Sequence, residues 1–146
     1  MLQEAIQLLS TAHFEIDGVQ RGAKPTHKNH PSAIFTRESK ANYNWVLSHA
    51  KCLNELYTER TGKVHGYQKY LDQVLEAPHN FQKEEQTDFP MCMPDEVKLK
   101  SLLDVHGAYR IYLNTKYKEW LSRNEFSEKR PVKVEFFGAK PSWVEV

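Results

Sequence analysis

The sequence has only two cysteines, Cys52 and Cys92, and neither stands at a metal-ligand spacing. That excludes a disulfide framework and makes a reducing, intracellular compartment the expectation. Long apolar runs are missing too. No stretch approaches the roughly 20 residues that span a bilayer, and no signal-peptide pattern opens the chain. A cytoplasmic chain with no membrane partner is therefore expected. Net charge is nearly absent, at +1, so charge as a whole gives no nucleic-acid footprint. Internal repeats and low-complexity tracts are lacking. What is there is an ordinary globular composition, 12% aromatic, over 146 residues. That is enough for one domain, 1–146, with a real core.

The small net charge hides an uneven distribution. Arg21, Lys24, Lys28, Arg37 and Lys40 fall within one segment against a single acid, Glu38, and His27 and His30 lie inside the same run. From Glu84 to Glu96 there are five acids and no base. Such runs are solvated surface segments or local anion-binding faces. His27 and His30 have an H-x-x-H spacing but no third ligand with convincing spacing, and no metal or cofactor is expected.

Leu2, Ala5, Ile6, Leu9 and Ala12 recur at helical spacing and predict a helix over Leu2–Phe14. No capping residue precedes it, so either its first turn frays or the chain begins inside a once longer helix. Its other face carries Gln3, Glu4, Gln7, Ser10 and Thr11, with no Lys or Arg. Glu4, Gln7 and Thr11, at i, i+3 and i+7, line one edge. Amides and hydroxyls around one carboxylate fit a partly buried polar site, or a merely low-charge surface face.

The segment from Glu15 to Asn29 is an irregular connection, long enough to suggest function. Pro31 suits the first position of a short helix, Pro31–Arg37. Ser39 suits the cap of a long one, Ser39 to about Arg60, with Gly62 just past its end. Tyr43, Val46, Leu47, Ala50, Leu53 and Tyr57 form one apolar stripe of that helix, and Trp45, His49, Cys52 and Leu56 a second. A helix apolar on most sides is expected at the centre of the fold.

Beyond it, a short helix is expected over Tyr67–Leu75, then a long acidic loop over Ala77–Pro94. Phe89, Met91 and Met93 are placed to pin that loop. A helical region begins at Asp95, strongest over Leu102–Leu121. Val132, Val134 and Phe136 alternate with charged residues, the pattern of a short strand, and Trp143 is expected to dock the terminus. The expected fold is mainly all-α, built around the long helix.

The run His30, Pro31, Phe35, Arg37, Ser39, Asn42, Tyr43, Trp45, with a glutamate (Glu55 or Glu59), Arg60, Gly62, Lys63 and His65, resembles a group of uncharacterised phage proteins. These are related to the pyrimidine dimer DNA glycosylase (endonuclease V) family. Met93–Glu96, Ala108–Tyr112, and Pro141 with Trp143 look similar as well. The resemblance implies a compact helical domain that flips a nucleotide from duplex DNA and attacks the sugar C1′ with an N-terminal amine. A glutamate on the first helix assists, and Glu4 falls at that position.

The chain departs from the family in three ways. Met1 stands only three residues before Glu4, so against the family a domain shortened at its start is expected, with no clear counterpart of the nucleophilic amine. Gln3 and Gln7 stand where the characterised enzymes carry arginines. The net charge is low for a duplex binder.

The resemblance thus implies a phage DNA-directed glycosylase/lyase-like protein in an infected bacterium, with altered or lost catalysis left open. Glu4 is the expected catalytic group. Gln7, His30, Arg37, Asn42, Arg60 and His65 are expected at the substrate. Arg21, Lys24, Lys28 and Lys63 are expected at DNA phosphate. Two alternatives stay open: a non-catalytic effector that binds a host protein or a nucleotide, and an enzyme on free or modified pyrimidine nucleotides. The oligomeric state is not specified.

Overall fold

In the computed structural model, residues 1–100, 104–123, 133–136 and 138–146 are described. They fall into two compact units, Met1–Pro90 and Met91–Val146. The fold is mainly α-helical, and no strand occurs among the described residues. No helix among them is long and apolar enough to cross a membrane.

The first unit contains α1 (Leu2–Asp17), α2 (Pro31–Glu38), α3 (Lys40–Thr61) and α4 (Gln68–Leu71), the last running into a 3-10 turn at Asp72–Val74. The periodic residues of α1 are its buried face: Leu2, Ala5, Ile6, Leu9 and Ala12. They pack with Phe35 of α2, with Tyr43, Val46, Leu47 and Ala50 of α3, and with Leu71 and Val74. The first turn of α1 has no side-chain cap, as its sequence predicts. The helix runs three residues beyond Phe14 and closes at Gly18, whose left-handed backbone sends its N–H to the Phe14 carbonyl at 3.0 Å.

α3 is positioned from both ends. Ser39 caps it, its hydroxyl accepting from the Asn42 N–H at 3.1 Å. The next free donors, the N–H groups of Lys40 and Ala41, reach the carbonyls of Lys83 and Glu84 at 3.0 and 3.1 Å. A distant segment therefore satisfies groups that a helix N-terminus leaves open. Gly62 ends the helix in the left-handed conformation.

Only one of the two apolar stripes of α3 is covered. Tyr43, Val46, Leu47 and Ala50 are buried, but Trp45 is 44% exposed, Leu56 45% exposed, and His49 and Cys52 are exposed. The expectation of a helix buried on most sides is corrected accordingly. α1 and α2 pack on the Tyr43 side, while Trp45 meets the edge of Phe89, at 4.8 Å between rings, and the stacked ring of His49.

The second unit contains α5 (Asp95–Lys100) and α6 (Val105–Ser122). The Asp104 carboxylate caps α6 by accepting from the Gly107 N–H at 2.6 Å. Leu102, expected at the start of this helical run, lies outside the described residues, as does Val132 of the expected strand. Residues 133–136 are not a strand. Alternation alone supplies no ladder partner, and an unpaired strand has nowhere to send its backbone bonds. The terminus is docked through Asn114, which donates to the Trp143 carbonyl at 2.9 Å and accepts from the Glu145 N–H at 3.0 Å, with Val144 buried beside it.

Candidate functional site

The polar edge of α1 and the basic segment that follows it meet. Ser10 and Thr11 are fully buried, although both sit on the polar side of the helix. Each returns its hydroxyl proton to the preceding turn, Ser10 to the Ile6 carbonyl at 2.7 Å and Thr11 to the Gln7 carbonyl at 2.8 Å. Their oxygens then accept from the incoming segment, Ser10 from the Ala23 N–H at 3.0 Å and Thr11 from the Thr26 N–H at 3.1 Å. Gly22 lies so close that a Cβ there would stand 2.5 Å from Ser10 Oγ and 2.9 Å from Val74 Cγ1. The basic segment thus crosses α1 on two buried hydroxyls and one glycine contact.

Beyond that crossing the segment runs from Thr11 toward Glu15, one turn further on along the polar edge that begins at Glu4. Lys28 stands 4.0 Å from the Glu15 carboxylate. Glu4 lies on the same edge about 10 Å before Thr11 at 1.5 Å per residue. It is solvent-exposed, with the Met1 amino group at 3.1 Å. Gln7, between them, is half-buried.

The cations are held loosely at their tips and firmly at their backbones. Arg21 stands 3.9 Å from Glu76. Exposed pairs of this kind hold a side chain by about 1 kcal/mol or less, so a stronger anion displaces them. Lys24 is exposed. Arg37 donates to the Lys28 carbonyl, locking the end of the segment to α2. His30 caps α2, its Nδ1 accepting from the Ser32 N–H at 3.2 Å. Between these anchors His27 takes a positive φ of 50°, uncommon for a residue with a side chain. Held strain of this type concentrates in segments with a binding or switching role.

The other expected residues lie elsewhere. Asn42 is fully buried, and both its amide protons are used, one on the Phe35 carbonyl at 2.8 Å and one on Thr87 Oγ1 at 2.7 Å. Its carbonyl accepts from the Thr87 N–H at 3.0 Å. Thr87 passes its own hydroxyl proton to Glu38 at 3.0 Å, and Lys83 meets the same carboxylate at 3.2 Å. The Thr87 bond first, then Lys83, hold the Glu38 carboxyl below its ordinary range. Asn42 is thus the centre of a brace that closes the fold.

Arg60 sits at the far end of the 22-residue α3, about 27 Å from Asn42 along the helix, and Lys63 and His65 follow just past that end. His65 accepts from the Tyr67 N–H at 3.1 Å and meets the Tyr57 ring edge-on at 4.7 Å. Glu4 and Gln7 therefore stand on the first half of α1, while Arg21, Lys24 and Lys28 belong to the segment crossing its second half and His30 and Arg37 to α2, where that segment ends. Asn42 is internal, and Arg60, Lys63 and His65 form a separate group. Among the described residues, no group of three or more His, Cys, Asp or Glu is placed to hold a metal.

Two features escaped the sequence. His13 is buried and its Nε2 lies 3.0 Å from the Tyr43 hydroxyl, which sends its proton to the Val74 carbonyl at 2.6 Å. Burial first, then the nearby Arg21, push the His13 pKa down, and burial pushes the Tyr43 hydroxyl up. His13 follows Ala12 on the apolar face of α1, a position that itself signals burial. The second is an open groove of about 440 Å³ on the outer face of α3, beside Trp45 and His49. Its signal was the second apolar stripe.

Compared with models of protein families, with curated protein sequences and with solved structures, the chain matches none.

Proposed function

We propose that the chain is a DNA-directed protein of the endonuclease V-like glycosylase/lyase type. In this reading the basic segment on α1 contacts phosphate and Glu4 is the acid–base group beside the reacting sugar. One observation carries the reading. The polar edge of α1 that begins at Glu4 carries, further along, the two residues that anchor the basic segment, Thr11 against Thr26 and Glu15 against Lys28. Glu4 and the anchored basic segment thereby lie along one edge of α1.

The spacing suits a duplex. Lys28 is anchored at Glu15, roughly 16 Å along α1 from Glu4, which corresponds to about five base-pair rises of 3.4 Å, so a strand contacted near Lys28 reaches Glu4 within about half a turn of duplex. Fixing the segment in advance lowers the ordering cost of binding. The resemblance to the phage group supplies the chemistry proposed for this surface.

Borohydride trapping on duplex DNA carrying an abasic or damaged site tests the catalytic half. A covalent adduct in the native chain, reduced at least tenfold by Glu4→Gln, is expected. No adduct, or one indifferent to Glu4→Gln, contradicts a catalytic role. Retained low-salt duplex binding in that case points to the non-catalytic alternative.

A further inference from the structure

Residues 72–80 are tied to α1 and α3 by side chains. The Tyr43 hydroxyl donates to the Val74 carbonyl at 2.6 Å and lies 3.4 Å from the Glu76 carbonyl. Asp17, at the end of α1, accepts from the His79 and Asn80 N–H groups at 2.9 and 3.1 Å. The start of the basic segment rests on the same residues. Gly22 donates its N–H to the Gln73 side chain at 3.2 Å, and a Cβ on it would stand 2.9 Å from Val74 Cγ1. Arg21 stands 3.9 Å from Glu76. Residues 73–76 thus hold the basic segment from one side, and Ser10 holds it from the other.

His13 is 2% exposed and sits where these groups meet. Its Nε2 is 3.0 Å from the Tyr43 hydroxyl of α3. The other groups that act on it come from each element around it: Arg21 of the basic segment, Asp17 of α1, and the Glu76 carbonyl and His79 of 72–80. Burial first, then Arg21, oppose a proton on this ring, and His79 acts in the same sense; the Glu76 carbonyl and Asp17 favour one, and the balance is against it. An opening that lifts 72–80 away brings water to the ring and removes most of that opposition. By linkage, falling pH then favours the open state over the closed one.

We propose that His13 is an acid-operated latch: a proton on its ring releases residues 72–80 from α1 and α3, and with them residues 21–23, the start of the basic segment. As a control on the phosphate-binding surface the latch rests on the DNA-directed function proposed above. As a movement of the fold it does not.

Hydrogen exchange on the full chain, corrected for intrinsic rates and followed from about pH 7.5 to about pH 5 in low urea, reads the opening directly. The amides to follow are those of Gly22, Ala23, His79 and Asn80. Thr87, whose N–H is held by Asn42 outside this cluster, is the control. The opening constants of the four should rise as pH falls below 6.5, by up to about tenfold per pH unit. Their urea dependence should be weaker than that of the α3 amides, the mark of a local opening. Thr87 should not respond to pH. Asp17 lets go only at lower pH, because the His79 N–H first, then the Asn80 groups, hold its carboxyl below its ordinary range. In His13→Gln the four amides should lose their pH dependence over this range. In the native chain the His13 ring resonance should titrate below 6.5, and the rise in opening should stop where it does.

Four amides whose opening ignores pH, or shows the urea dependence of global unfolding, overturn the latch. So does an equal rise in His13→Gln, a Thr87 amide that responds alike, or a His13 ring that titrates at 6.5 or above. None of these outcomes uses DNA, so the latch and the DNA-directed function fail separately.

Discussion

His13 shows how a single buried residue sets the pH response of the fold. It sits between α1 and α3 with Tyr43 as its partner, and burial together with Arg21 lowers its pKa below 6.5. Below pH 6.5 the unfolded chain takes up a proton at this residue and the folded chain does not, so stability falls as pH drops toward the folded pKa and then levels. His13→Gln should lower stability at pH 7 and remove most of the loss between pH 6.5 and the folded pKa, as read from urea midpoints across pH. An unchanged acid limb in the variant would contradict the assignment. Tyr43→Phe should cost about 1–3 kcal/mol at neutral pH, because the Val74 carbonyl and His13 Nε2 lose their shared partner. The sequence marks His13 only as a position on an apolar face. Its partner lies 30 residues away, and periodicity carries no information about which buried polar group meets which.

At the level of elements, α3 is defined by a brace as much as by its apolar stripe. Asn42 joins α2, α3 and the segment at Thr87 through three side-chain bonds. Asn42→Ala leaves the Phe35 carbonyl and the Thr87 groups without that partner, and should lower stability by about 2–4 kcal/mol in chemical unfolding. Ser39→Ala, which removes only a cap, should cost about 1 kcal/mol. An Asn42→Ala effect no larger than the cap effect would contradict the brace.

Much of the helical layout is legible in the sequence. The buried face of α1, the Pro31 start of α2, the Ser39 cap and the Gly62 stop all rest on local rules of spacing and capping. The exposure of one side of α3 has a physical reason that the spacing does not carry. Apolar spacing shows which residues avoid water, not which side has a neighbour to cover them, and Trp45 and Leu56 of the second stripe stay 44% and 45% exposed. The polar edge of α1 was legible as unusual. That Ser10 and Thr11 serve as anchors while Glu4 stays exposed depends on the path of the following segment, which no local pattern fixes.

For the molecule as a whole, the apolar core lies in the first unit. Residues from α1, α2, α3, Leu71 and Val74 make one continuous cluster. In the second unit the buried described residues are Met93, Ala108, Asn114 and Val144. Hydrogen exchange follows local stability, so the amides of α1 and α3 should be the slowest in the chain, with α6 exchanging at least tenfold faster. Equal protection in α3 and α6 would show that the units open together.

The central claim is that the segment crossing α1 is a preformed phosphate-binding surface on a protein of almost no net charge. It is tested most directly by the salt dependence of duplex DNA binding, in the native chain and in Lys24→Ala/Lys28→Ala. Each phosphate contact contributes about −0.9 to the slope of log K against log salt. The account predicts binding at low salt, and a double variant that binds more weakly with a slope shallower by about 1.8. No binding at about 10 mM salt, or a slope unchanged by the double substitution, would contradict it.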